Sequence, residues 1–220
     1  MPSLSEENYL KAIFVLEQDE HSKSSTNAIA EKLETKASSV TAMLKKLSAK
    51  DLVKYEKYQA VELTAAGRKV AITVLRKHRL WEYFLYEKLK FNWSEVHELA
   101  EQLEHIQSAE LTDRLDRFLG NPRRDPHGDP IPDRDGHFPP ALEATLNDLK
   151  VGDKARILGV KDHSTAFFNY LKSLSLKLGD ECECLKRNEY DGSLEVEIDS
   201  RTISLSRDVA ENLYIKIKNR

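Results

Sequence analysis

The 220 residues predict a mainly α-helical chain with a small β portion, in three consecutive parts. Three observations carry this. Apolar residues recur at helical spacing through most of the first 120 positions. Six of the seven prolines then gather between Asn121 and Pro140, marking an extended connector. Beyond Leu149 short β-rich runs alternate with turns, which fits a small barrel. The expected divisions are 1–74, 75–140 and 141–220.

Ser3-Leu-Ser-Glu6 has the form of a capping box, and Tyr9, Leu10, Ile13, Phe14 and Leu16 give the following helix, about 5–19, one apolar stripe. Thr26 is an expected N-cap for a short helix carrying Ile29, Ala30 and Leu33. After a tight connection, Ser38 to Ala49 forms the informative helix. Val40, Met43, Leu44 and Leu47 share one side, while Ser38, Thr41, Ala42 and Lys45 share the other at i, i+3, i+4 and i+7. Small hydroxyl side chains let a helix lie close to base edges, and lysine reaches phosphate, so this face suits the DNA major groove. Lys36, Lys45, Lys46, Lys50, Lys54 and Lys57 face only Asp51 and Glu56 between positions 36 and 57. The alternative is a solvated helical bundle. Strands at 52–56 and 60–64 read as a wing, with Lys57 near the DNA backbone. The candidate DNA contacts are Thr26, Lys36, Ser38, Ser39, Thr41, Lys45, Lys46 and Lys57.

A long helix from Thr64 to about Leu89 follows, with Val70, Val74, Leu75, Leu80, Phe84 and Leu85. Further helices are expected at 94–106 and 108–119. Winged helices that read palindromic DNA usually dimerise, and this segment is assigned that role. In His97-Glu-Leu-Ala-Glu-Gln-Leu-Glu-His105, a rotation of about 100° per residue groups His97, Glu101, Glu104 and His105, with Val96, Leu99, Leu103 and Ile106 opposite. No Lys or Arg interrupts this stretch. The stripe is either a solvated acidic face or a site for Mn, Fe(II), Co, Ni or Zn. His78 and Glu82, spaced i, i+4, double the available ligands. Position 101 is Glu, so the H-E-x-x-H protease pattern is missed. A two-metal hydrolase is the rival from another class, and it leaves the basic helix unexplained.

In the tail, strands are expected at 154–160, 181–186, 193–198, 202–206 and 214–217, with a helix at 165–174. Asp191-Gly192 is a hairpin signal, and Leu149-Lys-Val-Gly-Asp153 is echoed by Leu176-Lys-Leu-Gly-Asp180. Cys182 and Cys184 are expected as reduced core residues of one strand face, a soft-metal pair being the alternative. His127 and His137 are expected at the surface. A net charge of −3 excludes a globally basic nucleic-acid binder, so any such surface is local. The amino-terminal residues lack the regions of a secretory signal, and no apolar run approaches the about 18 residues that cross a bilayer. A cytoplasmic protein without membrane partners is expected.

Tyr9-Leu-Lys-Ala-Ile-Phe14, Ser39-Val-Thr41, Met43-Leu-Lys-Lys-Leu47, Leu63-Thr64 with Gly67, Lys77-His-Arg-Leu80, Glu95-Val-His97, Leu103-Glu-His105 and Asp125-Pro-His-Gly128 with Pro130-Ile-Pro132 resemble, in order, the diphtheria-toxin-repressor family of metal-dependent transcription factors. The likeness covers about residues 4–133, and the tail looks like the SH3-like domain of the longer members. The resemblance implies a homodimer on a palindromic double-stranded operator, activated by Mn(II) or Fe(II) at two sites per subunit and repressing metal-uptake genes. It places a primary metal site on Asn8, Glu101, Glu104 and His105 and an ancillary site on His78, Glu82 and His97. Asn8 stands where relatives have Met or Asp, and Lys11 where the short manganese regulators have a bridging Glu. Ser164 and Phe167 stand where some long members supply ligands, with Asp162, His163 or water as the substitute. A regulator whose metal sites are structural and always filled is the alternative within the same class.

Overall fold

The structure, a computed structural model, describes residues 2–18, 23–56, 59–162 and 164–218. It divides into two compact units: residues 1–81, 99–121 and 132–138, and residues 82–98, 122–131 and 139–220.

In the first unit, α1 (Leu4–Gln18) starts on the expected capping box. Ser3 N–H donates to Glu6 at 2.8 Å, and Glu6 N–H donates to the Ser3 hydroxyl at 3.4 Å. α2 (Thr26–Lys32) is capped by Ser25, whose hydroxyl accepts from Ala28 N–H, so Thr26 is the first helical residue rather than the cap. α3 (Ala37–Ala49) buries Val40, Leu44 and Leu47. The expected wing strands shorten to β1 (Val53–Lys54) and β2 (Glu62–Leu63), paired antiparallel. Strands this short place Val53 and Leu63 in the core and leave little ladder. The unit's core joins Leu10, Ile13, Phe14, Ile29, Leu44 and Leu75. α4 (Ala65–Glu87) begins where Thr64 accepts from Gly67 N–H and donates to the Asp51 carbonyl. A Cβ at Gly67 would lie 1.9 Å from the Leu52 carbonyl oxygen; only glycine permits this approach of the helix to the backbone leading into β1. α5 (Trp93–Leu103) and α6 (Ala109–Phe118) follow.

The second unit carries a five-stranded antiparallel sheet in the order β6-β5-β4-β3-β7, with β3 (Lys154–Val160), β4 (Glu181–Arg187), β5 (Leu194–Ile198), β6 (Arg201–Leu205) and β7 (Leu213–Ile217). α7 (Thr165–Ser173) was expected, whereas a 3-10 turn at Leu146–Asp148 and α8 (Arg207–Glu211) were not. α8 is capped by Ser206, a local signal that short helices rarely make legible. Ile157, Leu171, Leu194, Val196 and Leu213 form the core. Cys182 and Cys184 are unpaired, buried thiols within it, and burial pushes Cys182 up to about 11. Among the described residues no helix is long and apolar enough to cross a membrane.

Candidate metal centres and nucleic-acid interface

The helix expected to run through Ile106 stops at Leu103. Glu104 N–H still reaches Ala100, but Ile106 N–H turns back to Leu103, and Ser108 then caps α6. The polar stripe therefore divides. Glu104 is wholly buried, while the side chains of His97 and Glu101 remain 60% and 52% exposed. Ile106, expected on the apolar side, is 37% exposed.

The turn after α5 meets one face of α1. His105 Nδ1 lies 2.6 Å from Glu7 Oε2, and Gln107 Nε2 donates to Glu7 Oε1 at 2.8 Å. A carboxylate at Nδ1 places the proton there in a neutral imidazole, leaving the Nε2 lone pair available. That Nε2 stands 3.7 Å from Glu104 Oε1. The other oxygen of Glu104 is doubly engaged: Lys11 Nζ donates to Oε2 at 2.7 Å, and His78 Nδ1 lies 2.5 Å from it. Lys11 also stands 3.5 Å from Glu101. Burial pushes the Glu104 carboxyl up, but His78 and Lys11 outweigh it and hold the group below its ordinary value. Burial draws the nearby Lys77 amine down, opposed by Glu7 and Glu104. Glu104 Oε1 and Asn8 Oδ1 are buried without a hydrogen-bond partner.

His78, expected with the ancillary group, also contacts Glu104, and Glu82 follows it by one turn of α4. In the second unit, His97 Nδ1 lies 3.1 Å from Glu82 Oε1. His127 Nδ1 lies 3.8 Å from Glu82 Oε2 and 4.0 Å from Asp125 Oδ1. Glu82, Asp125 and His127 offer ligand atoms within 4.8 Å of one another, and all three are buried. His127 is only 7% exposed, which corrects its expected surface position; His137 is exposed. The reason is the backbone around it. Asp125 Oδ1 accepts from the N–H groups of His127 and Asp129, Val160 N–H donates to the His127 carbonyl, and the ring packs on Phe168. Gly128, at φ +90°, lets this loop touch the strand: a Cβ there would fall 2.2 Å from Gly159 Cα. Asp125-x-His127 beside a glycine in a proline-rich stretch was the available signal. Asp162 is half-buried and accepts from Ser164 N–H; His163 lies outside the described residues.

α3 presents Ser38, Ser39, Ala42, Lys45 and Lys46 to solvent, with Lys36 exposed at its N-cap. Thr41 is half-buried, and its hydroxyl donates to the Ala37 carbonyl at 3.0 Å. Thr26 is half-buried at the start of α2. Lys57 lies outside the described residues. Lys46 lies 3.1 Å from the buried Glu6 carboxylate, and Lys50 lies 2.7 Å from it. Lys50, then burial working against it, Ser3 and Lys46 leave Glu6 lowered to about 2.

Residues 2–61 match the iron dependent repressor N-terminal DNA binding domain, 64–133 its metal binding and dimerisation domain, and 144–217 the FeoA domain. A solved manganese-dependent transcriptional repressor in complex with manganese is 36% identical, with a TM-score of 0.76 over 96% of this chain and 98% of that one. The iron-dependent repressor IdeR of Mycobacterium leprae is 36% identical over 126 residues, 57% of this chain, which spans about half (54%) of that relative's length. The diphtheria toxin repressor of Corynebacterium diphtheriae is 28% identical over 96% of both chains. With its DNA-binding, metal-binding and FeoA segments in the same order, this chain belongs to the iron-dependent (diphtheria toxin) repressor family of metal-dependent transcriptional regulators.

Proposed function

We propose that this chain is a cytoplasmic repressor of metal-uptake genes whose grip on a palindromic operator is switched by Mn(II) or Fe(II). The observation that carries the reading is the pair of buried oxygens without hydrogen-bond partners, Asn8 Oδ1 and Glu104 Oε1. Leaving such acceptors unsatisfied costs about 1–3 kcal/mol each, and His105 Nε2 faces the second of them. Although among the described residues Glu101, Glu104 and His105 do not bring three ligand atoms within 4.8 Å of one another as Glu82, Asp125 and His127 do, Asn8, Glu101, Glu104 and His105 are hard oxygen and nitrogen donors of the kind suited to Mn(II) or Fe(II). Bound there, a divalent cation supplies the positive charge that these donors share.

The protein's own contribution is α1. Glu7 holds His105, Asn8 offers its amide oxygen and Lys11 grips Glu104, while the adjacent Glu6 grips Lys46 of α3 and Lys50 at its C-cap. One helix thus ties the candidate metal centre to the recognition helix. Glu82, Asp125 and His127, with His97 beside Glu82, form a second candidate cation centre, giving two per subunit. Leu111 and Phe118 of α6 are 40% and 66% exposed and supply apolar surface for a homodimer. Lys36, Ser38, Ser39 and Lys45 supply contacts to DNA, with Thr26, Thr41 and Lys46 at the edges of that face.

The test is titration of a palindromic operator with and without Mn(II) or Fe(II). Coupling of about 1–3 kcal/mol, five- to 150-fold, is expected; equal affinity in both conditions refutes the reading. Truncating Glu104 and His105 to Ala abolishes the metal response and leaves weak, salt-dependent DNA binding. Replacing Lys45 and Thr41 by Ala does the reverse.

A further inference from the structure

The geometry points to Lys11 as a resident cation of the Glu101–Glu104–His105 centre, a tethered charge that sets how much free metal is needed to fill it. The inference rests on the proposal that this centre takes a divalent ion, and it concerns the residue that opposes the ion rather than those that bind it. Lys11 Nζ stands 2.7 Å from Glu104 Oε2 and 3.5 Å from Glu101 Oε1, between the two carboxylates. Its side chain is 13% exposed and that of Glu104 is 0% exposed, so solvent screens their attraction weakly. Lys11 occupies Oε2 and leaves Oε1 without a hydrogen bond. It need not depart when a metal enters; its charge competes for the field of the same carboxylates.

A lysine that serves only as a structural tie and one that serves as a resident cation predict different things. Removing a structural tie weakens the metal-free fold and, by loosening the carboxylates, weakens metal binding as well. Removing a resident cation also weakens the metal-free fold, yet tightens metal binding, because the carboxylates then give their whole field to the incoming ion. The two effects carry opposite signs. Charges a few ångström apart in a poorly screened site interact strongly enough for a gain of about tenfold or more.

The experiment is calorimetric titration of Mn(II) into the full chain and its Lys11→Met and Lys11→Arg variants. All are measured in a Glu82→Gln background, so that the second candidate centre contributes least, with metal-free thermal unfolding in parallel. Lys11→Met is expected to unfold at a lower temperature without metal and to bind Mn(II) about tenfold or more tightly; Lys11→Arg keeps both properties near those of the parent. Equal or weaker binding by Lys11→Met overturns the inference. If Lys11→Met does not fold without metal, Lys11→Gln refolded with Mn(II) and titrated with a competing chelator gives the same comparison, with the same outcome overturning it. Absence of Mn(II) binding in the parent chain overturns the metal-centre reading itself, a failure distinct from unchanged affinity in the variant.

Discussion

Glu7→Gln isolates the orientation of His105 from its chemistry. Glu7 is 3% exposed and accepts from two side chains of the turn after α5: His105 Nδ1 at 2.6 Å and Gln107 Nε2 at 2.8 Å. Glutamine has the same shape but one acceptor fewer, and its amide nitrogen must oppose a donor on one side. The metal-free protein therefore loses a charge-assisted hydrogen bond, about 1.5–3 kcal/mol. The imidazole also loses the carboxylate that fixes its tautomer and ring orientation, and such a partner is typically worth 10- to 100-fold in metal affinity. That range equals about 1.4–2.7 kcal/mol. Chemical denaturation without metal and calorimetric titration with Mn(II) measure the two quantities separately. A Glu7→Gln protein that is destabilised but binds Mn(II) with parental affinity refutes the claim that Glu7 aims His105.

Asn8→Ala removes a buried amide oxygen that has no hydrogen-bond partner. Metal-free stability is not expected to fall, because removing the unsatisfied acceptor relieves a cost of about 1–3 kcal/mol, while Mn(II) affinity falls; a large loss of metal-free stability would mean the amide already has a structural job. Gly128→Ala forces a Cβ to 2.2 Å from Gly159 Cα at a positive φ, so a loss of about 2–4 kcal/mol is expected in urea denaturation, and a cost below 1 kcal/mol counts against the loop's packing as described. Glu6 is lowered from 4.5 to about 2 when folded. Its contribution is therefore complete above the unfolded value near 4.5 and disappears as pH falls from there through about 2. The denaturation midpoint should decline across that window and decline less in Glu6→Gln, which a pH series of unfolding curves will check.

Much of the architecture was legible in the local pattern. The Ser3/Glu6 capping box forms both of its hydrogen bonds, and the outward face of α3 carries the small and basic side chains its spacing predicted. The echoed segments at 149–153 and 176–180 build the same turn twice. Gly152 and Gly179 adopt φ of +87° and +90°, and Asp153 and Asp180 each accept from the backbone N–H three residues earlier. The site was legible only in part. Helical spacing places Glu104 and His105 on a polar stripe, whereas the end of α5 at Leu103 turns them inward. Asp125 and His127 offered no periodicity at all, and Lys46 reads as a free basic group although Glu6 holds it.

The sequence by itself determined the elements whose signals span a turn or two of chain: caps, glycine turns, apolar stripes and the basic helix. Those depend on hydrogen bonds and side-chain spacing within a few residues, so neighbours in the chain suffice to specify them. Which acids and imidazoles share a centre was decided only by tertiary structure. Lys11 meets Glu104 across 93 positions and Glu7 meets His105 across 98, distances over which no local periodicity carries information. Burial is also a property of the folded whole; it makes Glu104 a caged carboxylate, leaves Glu101 half in water, and turns a histidine of the proline-rich connector into a candidate ligand.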